Sequence, residues 1–211
     1  MTRMEVLSMK MYYRAWGNPQ NPPLILLHAL ACHSGWWNEV STYLEEEYYL
    51  IAPDLRGHGQ SPWAESYRFD DYAEDIEEMA REFNRPYAIV GHSMGGYIGM
   101  KVASNSHCPP NALLVADMKI DSPEKELAGF HKAAQKKGRV YDTLKEAVDH
   151  YKLLPPQHKA TPERVKRVAQ DCFYEQKDGT WTERFDRKAL AIENVESLSL
   201  AQQVNCPTWV V

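Results

Sequence analysis

Short apolar segments of strand length recur along the chain, and stretches with helical periodicity separate them. The apolar segments cover residues 23–28, 48–54, 87–93, 111–118 and 207–211. Their Val, Ile and Leu residues follow one another directly, which is typical of strands that are buried on both faces of a sheet. Because helices and strands alternate, the pattern predicts an α/β fold with a doubly wound, mostly parallel sheet.

The segment between the second and third predicted strands has the pattern of an amphipathic helix. Tyr72, Ile76, Met79 and Phe83 recur at helical intervals, and Pro86 follows them. The acidic residues of this segment fall on the side opposite the apolar stripe. We therefore expect a helix that packs on the sheet and exposes its carboxylates to solvent.

The pattern changes in the second half of the chain. Helical periodicity is present near residues 123–137, 143–153 and 162–174, and Asp178-Gly179 is typical of a tight turn. No further strand of the parallel sheet is evident in this region. The pattern predicts an inserted unit made of helices.

The charge changes in the same region. Residues 123–168 carry eleven Lys and Arg against six Asp and Glu, a net charge of +5, whereas the whole chain carries −5. Together with the pattern, this predicts a helical cap over residues 121–190, a core over residues 1–120 and an incomplete return to the core over residues 191–211. The basic excess is more typical of a solvated helical face than of a surface that attracts anionic substrates.

The composition narrows the class of protein. With 44% hydrophobic and 25% charged residues, the 211-residue chain resembles a globular protein and not a disordered or collagen-like one. Its acidic balance argues against nucleic acid as a partner, because proteins that bind phosphate backbones carry a basic excess. The longest apolar run, PLILLHALAC, is much shorter than the roughly 20 residues of a membrane-spanning helix. We therefore expect neither nucleic acid nor membrane as a partner.

The N-terminal segment and the cysteines bear on cellular location. The first residues contain no apolar stretch of the length found in secretory signals, which predicts a cytoplasmic location. Cys32, Cys108, Cys172 and Cys206 lie far apart and form no CxxC pair. This spacing argues against a zinc ribbon or a redox motif and suits reduced, buried thiols.

One motif carries most of the chemistry. Gly91-His92-Ser93-Met94-Gly95 joins a predicted buried strand directly to a segment of helical periodicity. A serine on such a sharp turn is exposed above the sheet, and glycines on both sides remove side chains that would collide. The helix that follows directs free N–H groups at the place where an oxyanion forms. Ser93 is the candidate nucleophile and the Met94 N–H a candidate oxyanion donor; the alternative is a structural turn with an idle serine.

On this GHSMGG motif, the chain resembles the α/β-hydrolase fold superfamily, and the resemblance covers nearly its whole length. The segment from His28 to Trp37 is similar to the family motif HGxxxxxxxW, and DLRGHGQS (54–61) is similar to the family turn DxRGxGxS. The resemblance implies that His28 positions a loop whose Leu30 N–H is the second oxyanion donor. The chain departs from the motif at Ala29, where the family has glycine.

The turn that begins at Asp54 is interpreted as scaffold. Asp54 and Arg56 can lock the turn through hydrogen bonds and charge. His58 could in principle act as a base, but a histidine in such a turn is expected to face solvent.

A serine nucleophile needs a histidine that accepts its proton and a carboxylate that orients the histidine. The resemblance places the acid after the strand that ends at Val211 and the histidine after one more helix and strand. We therefore expect both residues beyond Val211, in a protein whose last strand and helix are absent from this truncated and inactive chain. Asp117 is a minor alternative for the acid. The histidines of the insert, His131, His150 and His158, are interpreted as cap surface.

These features predict a serine hydrolase that cleaves a small carboxylic ester or related acyl substrate through an acyl-serine intermediate, without a metal or organic cofactor. Lactonase, perhydrolase, thioesterase, C–C hydrolase and aminopeptidase activities stay open, as does a non-catalytic binding protein of the same fold. An incomplete sheet edge also predicts self-association or pairing with another chain. Apolar cap residues are expected to shape the acyl pocket: Phe130, Tyr141, Tyr151, Leu153, Leu154, Phe173 and Trp181.

Overall fold

A computed structural model of the chain describes residues 11–105, 107–119, 123–153, 160–194 and 196–211. Nine strands are present in these residues: β1 (Tyr13–Trp16), β2 (Pro23–Leu27), β3 (Tyr49–Pro53), β4 (Ala88–His92), β5 (Ala112–Ala116), β6 (Val140–Tyr141), β7 (Phe173–Glu175), β8 (Trp181–Glu183) and β9 (Thr208–Val210).

Six of these strands form the central sheet, in the order β1-β3-β2-β4-β5-β9. β1 runs antiparallel to β3, and every other neighbouring pair is parallel. The five predicted strands and the mostly parallel α/β sheet are therefore confirmed. β1 was not predicted. Its sequence YRAW is short and contains an arginine, so it lacks the continuous apolar run by which the other strands were recognised.

Helices cover the sheet and continue into the insert. The described residues contain α1 (Asn38–Leu44), α2 (Phe69–Arg81), α3 (Met94–Asn105), α4 (Glu124–Ala134), α5 (Leu144–His150), α6 (Pro162–Asp171) and α7 (Ser197–Ala201), with short 3₁₀ turns at Ser34–Trp37 and Arg187–Leu190. Within the described ranges, no helix combines the length and the apolar character needed to cross a lipid bilayer.

β2 shows why the fold has two layers of helices. All five of its residues are buried, as the continuous apolar run predicts. Ile25 and Leu27 belong to a core cluster with side chains of α2 and α3, whereas Leu24 and Leu26 pack on the other face with Trp37 and Leu44. Because side chains alternate across a strand, one short segment supplies two cores.

The second face of the sheet becomes more exposed toward β9. Leu26, Val90, Leu114 and Trp209 lie side by side across four strands. Leu26 is fully buried, Val90 and Leu114 are half-buried, and Trp209 is 57% exposed. This gradient describes an apolar sheet edge; self-association through that edge stays a prediction.

The insert is not entirely helical, which corrects the expectation of a helical cap. It contains α4, α5 and α6, and also a three-stranded antiparallel sheet in the order β6-β8-β7. Strands of two or three residues are too short to show the alternation by which a strand is predicted. The turn at Asp178-Gly179 is present between β7 and β8, with Gly179 at a φ of 83°. The boundaries at residues 121 and 190 stay a prediction.

Candidate active site

Ser93 occupies the turn between β4 and α3, in a left-handed conformation with a φ of 51°. Its N–H donates to the Ala116 carbonyl of β5 at 2.9 Å, and its carbonyl accepts from the Gly96 N–H of α3 at 2.8 Å. A serine in this conformation costs on the order of 1 kcal/mol or more. The strand and the helix hold the residue in place despite this cost.

Two glycines make the turn sterically possible. A Cβ atom on Gly91 would lie 2.3 Å from the Gly95 carbonyl oxygen, and a Cβ atom on Gly95 would lie 2.4 Å from the Leu27 carbonyl oxygen. In both cases the obstacle is backbone, which cannot rotate out of the way. Gly91 and Gly95 therefore allow β4, α3 and β2 to approach closely around Ser93.

Met94 is the first residue of α3, and its side chain is buried. The first N–H groups of a helix have no partner within the helix, and the helix dipole favours negative charge at this end. The position beside Ser93 is thus suited to a developing oxyanion. Donation by the Met94 N–H itself stays a prediction.

His28 organises the loop that follows β2. Its Nε2 accepts from the Leu55 N–H at 3.0 Å, so its Nδ1 carries the proton and donates to the Ala29 carbonyl at 2.8 Å. The side chain is buried, and burial lowers its pKa to about 3. Both ring nitrogens are occupied and the ring stays neutral, so His28 holds the loop and does not act as a base.

The same loop accommodates an alanine where the family motif has glycine. The left-handed residue of the loop is Ala31, with a φ of 58°, and not Ala29. The Ala29 carbonyl accepts from the Cys32 N–H at 3.0 Å, which closes a tight turn around Leu30. The methyl group of Ala29 is therefore compatible with the turn, while the oxyanion role of the Leu30 N–H stays a prediction.

Asp54 ties this loop to the following turn. Its buried carboxylate accepts from the Ser34 N–H at 2.6 Å and from the Gln60 N–H at 2.8 Å. Asp54 thus locks the turn through hydrogen bonds, as expected, and it does so without Arg56. The Arg56 guanidinium instead forms a bidentate pair with Asp75 of α2, at 2.6 and 2.7 Å. The helical pattern predicts a solvent-exposed carboxylate at Asp75, and this prediction is wrong because Arg56 binds it.

His58 is completely buried, so the expectation that it faces solvent is wrong. Its ring lies 5.0 Å from that of His28 and 4.8 Å from that of Phe185, centroid to centroid. Phe185 comes from the end of the insert and pairs with His58 through an isolated β-bridge. Since more than 120 residues separate His58 and Phe185 in sequence, no local pattern could reveal that Phe185 packs over His58.

No histidine or carboxylate hydrogen-bonds to the Ser93 hydroxyl in the described part of the chain. Asp117, the alternative acid, directly follows β5; its side chain is 87% exposed, and its Oδ2 lies 3.9 Å from His92 Nε2. Burial lowers the pKa of His92, and the Asp117 charge opposes this effect. The structure thus places Asp117 next to His92, and His92 makes no hydrogen bond to the Ser93 hydroxyl in the described residues. The acid and the histidine expected beyond Val211 stay predictions.

The histidines of the insert contact backbone carbonyl groups. His131 Nε2 contacts the Ile192 carbonyl at 2.9 Å, and His150 Nδ1 contacts the Glu146 carbonyl at 2.9 Å. Both residues are exposed, as a surface role predicts. His158 lies outside the described residues.

The aromatic residues of the cap pack mainly against each other. Tyr141 and Phe173 are buried in a cluster of the insert, and Tyr151 and Trp181 pack against it. Tyr141 and Phe173 are therefore core residues of the insert. The expectation that the apolar residues of the insert shape an acyl pocket stays a prediction. Leu154 lies outside the described residues.

A small cleft of about 80 Å³ lies beside the loop that follows β2, and it was not expected from the sequence. Burial raises the pKa of the Cys32 thiol in its wall, which disfavours the thiolate at neutral pH. Among the described residues, no group of three His, Cys, Asp or Glu side chains is arranged to hold a metal ion. The cleft is lined by His28, Ala29, Cys32, Trp36, Trp37, Val40 and His92.

Comparisons with known proteins agree with this architecture. The model of the alpha/beta hydrolase family matches residues 24–211. A 3-hydroxybutyrate-oligomer hydrolase of Cupriavidus necator is 32% identical over 114 residues, which are 52% of this chain and 39% of that protein. Lipase LipV of Mycobacterium tuberculosis is 32% identical over 101 residues, 47% of this chain and 38% of that protein. The chain thus matches well under half the length of these curated relatives.

A solved structure of similar fold is an esterase of M. tuberculosis. It superposes with a TM-score of 0.80 at 20% sequence identity, and the match covers 99% of this chain and 73% of that chain. At this identity the likeness shows the fold alone.

Proposed function

Since this chain belongs to the alpha/beta hydrolase family, we propose that it is a serine hydrolase that cleaves a small carboxylic ester or a related acyl substrate. The observation that carries the proposal is the left-handed Ser93 at the N-terminus of α3. A strained serine has no structural advantage in this turn, because glycine would adopt the same conformation at lower cost.

In the proposed reaction, the Ser93 hydroxyl attacks the substrate carbonyl and gives its proton to a histidine base. The Met94 and Leu30 N–H groups stabilise the oxyanion of the tetrahedral intermediate. Collapse of the intermediate expels the alcohol, which takes the proton from the histidine, and leaves an acyl group on Ser93. Water then attacks the acyl-serine and releases the carboxylic acid. The positions of the acid and of the histidine after Val211 are part of this proposal.

Two observations support an ester as substrate. The curated relatives include a lipase and a hydrolase of 3-hydroxybutyrate oligomers, and the nucleophile is serine. The cytoplasmic location, a substrate of small size and the absence of a cofactor remain parts of the proposal.

Covalent labelling of the natural full-length protein with a fluorophosphonate tests the nucleophile. We expect one adduct, mapped by mass spectrometry to the peptide that contains Ser93, and no adduct in Ser93→Ala. Ser199→Ala, on the exposed surface of α7, is the matched control and should label like the wild type. A folded wild-type protein that takes no label would overturn the proposal and favour a non-catalytic binding protein.

A further inference from the structure

Arg14 and Asp171 form an ion pair in which each residue occupies a locally unfavourable position. Arg14 lies within β1 with its side chain only 9% exposed. Asp171 is the last residue of α6, where the helix dipole disfavours a carboxylate. Their Nη2 and Oδ2 atoms are 2.6 Å apart. Neither the strand position of Arg14 nor the helix end at Asp171 favours a charged residue of that sign. The ion pair therefore explains why both residues are present.

The pair lies against the segment that continues from the oxyanion loop. Arg14 Nη1 donates to Asn38 Oδ1 at 3.2 Å, so one guanidinium contacts both α6 and the start of α1. Gly35 also lies close to Asp171, since a Cβ atom built on Gly35 would be 3.1 Å from Asp171 Oδ2. The end of α6 therefore lies directly on residues 34–38.

His33 makes a second contact between the same two parts of the chain. Its Nδ1 accepts from the Gly35 N–H at 3.1 Å, which leaves the proton on Nε2, and Nε2 donates to the Val168 carbonyl of α6 at 3.2 Å. On the other side, Asp54 binds the Ser34 N–H. The segment is thus held between α6 and the turn that follows β3.

We propose that Arg14 and Asp171 are positioning residues, which clamp the end of cap helix α6 onto residues 33–38 and thereby fix the loop that presents the Leu30 N–H. The coupling between α6 and the loop stands on geometry. Its catalytic meaning rests on the proposed function, because only an acyl-transfer reaction uses the Leu30 N–H as an oxyanion donor.

Removal of the Asp171 charge should release both sides of the contact. In Asp171→Asn, the Arg14 guanidinium stays largely buried and loses its counter-ion, because only neutral amide oxygens remain to accept its hydrogen bonds. A mostly buried charge without its counter-ion is strongly unfavourable, so local opening of the contact becomes easier. The loop and α6 should then open together, while helices on the other face of the sheet stay protected.

Hydrogen–deuterium exchange on the full chain measures this coupling. We expect amides of residues 29–38 and 162–172 to exchange about tenfold faster in Asp171→Asn, with no change in α2. Arg164→Gln is the matched control, because Arg164 and Glu39 also join α6 to α1, at 3.1 Å, but are half exposed. Unchanged exchange at residues 29–38 in Asp171→Asn would overturn the proposal.

Two further variants keep the test decisive if Asp171→Asn does not fold. Arg14→Lys keeps the charge but cannot reach Asp171 and Asn38 together, so it should show a smaller effect of the same pattern. Gly35→Ala keeps both charges and disturbs both contacts with α6, because its methyl group would lie 2.7 Å from the His33 ring and 3.1 Å from Asp171 Oδ2. If both variants exchange like the wild type at residues 29–38, the clamp does not exist.

A kinetic measurement separates the clamp from the proposed function. If Ser93 reacts as proposed, Asp171→Asn should lower kcat for an ester about tenfold with little change in KM, because oxyanion donors act on the transition state. Because a loss of folded protein would also lower the apparent kcat without changing KM, kcat is calculated per active site titrated with a fluorophosphonate. If the wild type reacts with neither ester nor fluorophosphonate, the proposed function fails and the exchange experiment still decides the clamp.

Discussion

The imidazole rings of His28 and His58 lie 5.0 Å apart in the interior of the protein, one from the loop after β2 and the other from the turn after β3. Burial lowers the pKa of each ring to about 3, and the neighbouring His28 further lowers the pKa of His58 through charge repulsion. Two neutral histidines therefore join the loop after β2 to the turn after β3.

This pair should make the protein sensitive to acid. In the unfolded chain both histidines take up a proton near pH 6.5, whereas in the folded protein they stay neutral down to about pH 3. The unfolded state binds more protons between these values, so the free energy of unfolding falls as pH falls through this range, by about 1.4 kcal/mol per pH unit for each histidine.

Urea unfolding at several pH values between 7 and 4 tests this expectation. In His58→Gln, one titrating group is lost, and the pH dependence should be shallower than in the wild type by about that amount. The slope is the readout, since the substitution also changes stability at neutral pH. Parallel curves for the two proteins would contradict the assignment of a depressed pKa to His58.

Ser93 should cost the protein stability. Its left-handed conformation is unfavourable for any residue with a Cβ atom and easy for glycine. We expect Ser93→Gly to be more stable than Ser93→Ala by about 0.5–1 kcal/mol, although both lack the hydroxyl. Chemical denaturation of both variants measures the difference, and an alanine variant of equal or higher stability would argue against strain at this turn.

Gly95 should tolerate no side chain. In Gly95→Ala the new methyl group meets the Leu27 carbonyl, so we expect a loss of about 2 kcal/mol or more. Gly129→Ala provides the control, because nothing lies within 4 Å of a Cβ atom there and alanine favours a helix by about 0.5–1 kcal/mol. Thermal unfolding should move the two variants in opposite directions, and shifts of the same sign would contradict the close approach of α3 to β2.

The loop that follows β2 should be strained at residue 31 and not at residue 29. Ala31 is left-handed and exposed, so Ala31→Gly should stabilise the protein by up to about 1 kcal/mol. Ala29 is buried and has no such strain, so Ala29→Gly should destabilise it by about 0.5–1 kcal/mol through the greater freedom of the unfolded chain. Denaturation midpoints of the two variants measure this, and a stabilising Ala29→Gly would place the strain at the position where the family motif has glycine.

Local pattern predicted the sheet well and the insert less well. A continuous apolar run such as 23–27 is long enough to show burial on both faces, and all of its residues are buried. The strands of the insert contain two or three residues, so their periodicity is not visible. The same limit applies to β1, whose Arg14 interrupts the apolar pattern because a distant aspartate compensates its charge.

The sequence by itself determined the elements whose cause is local: the strands, the helices between them, and a glycine-flanked serine at a strand-to-helix turn. Only the tertiary structure decided which charged and polar side chains are buried. His58 is covered by Phe185, Arg56 pairs with Asp75, and Arg14 pairs with Asp171. Burial of a polar group depends on partners that are distant in sequence, whereas a turn depends on its own few residues. That is why the turn at Ser93 could be predicted from the sequence, whereas the long-range contacts of His58, Arg56 and Arg14 could not.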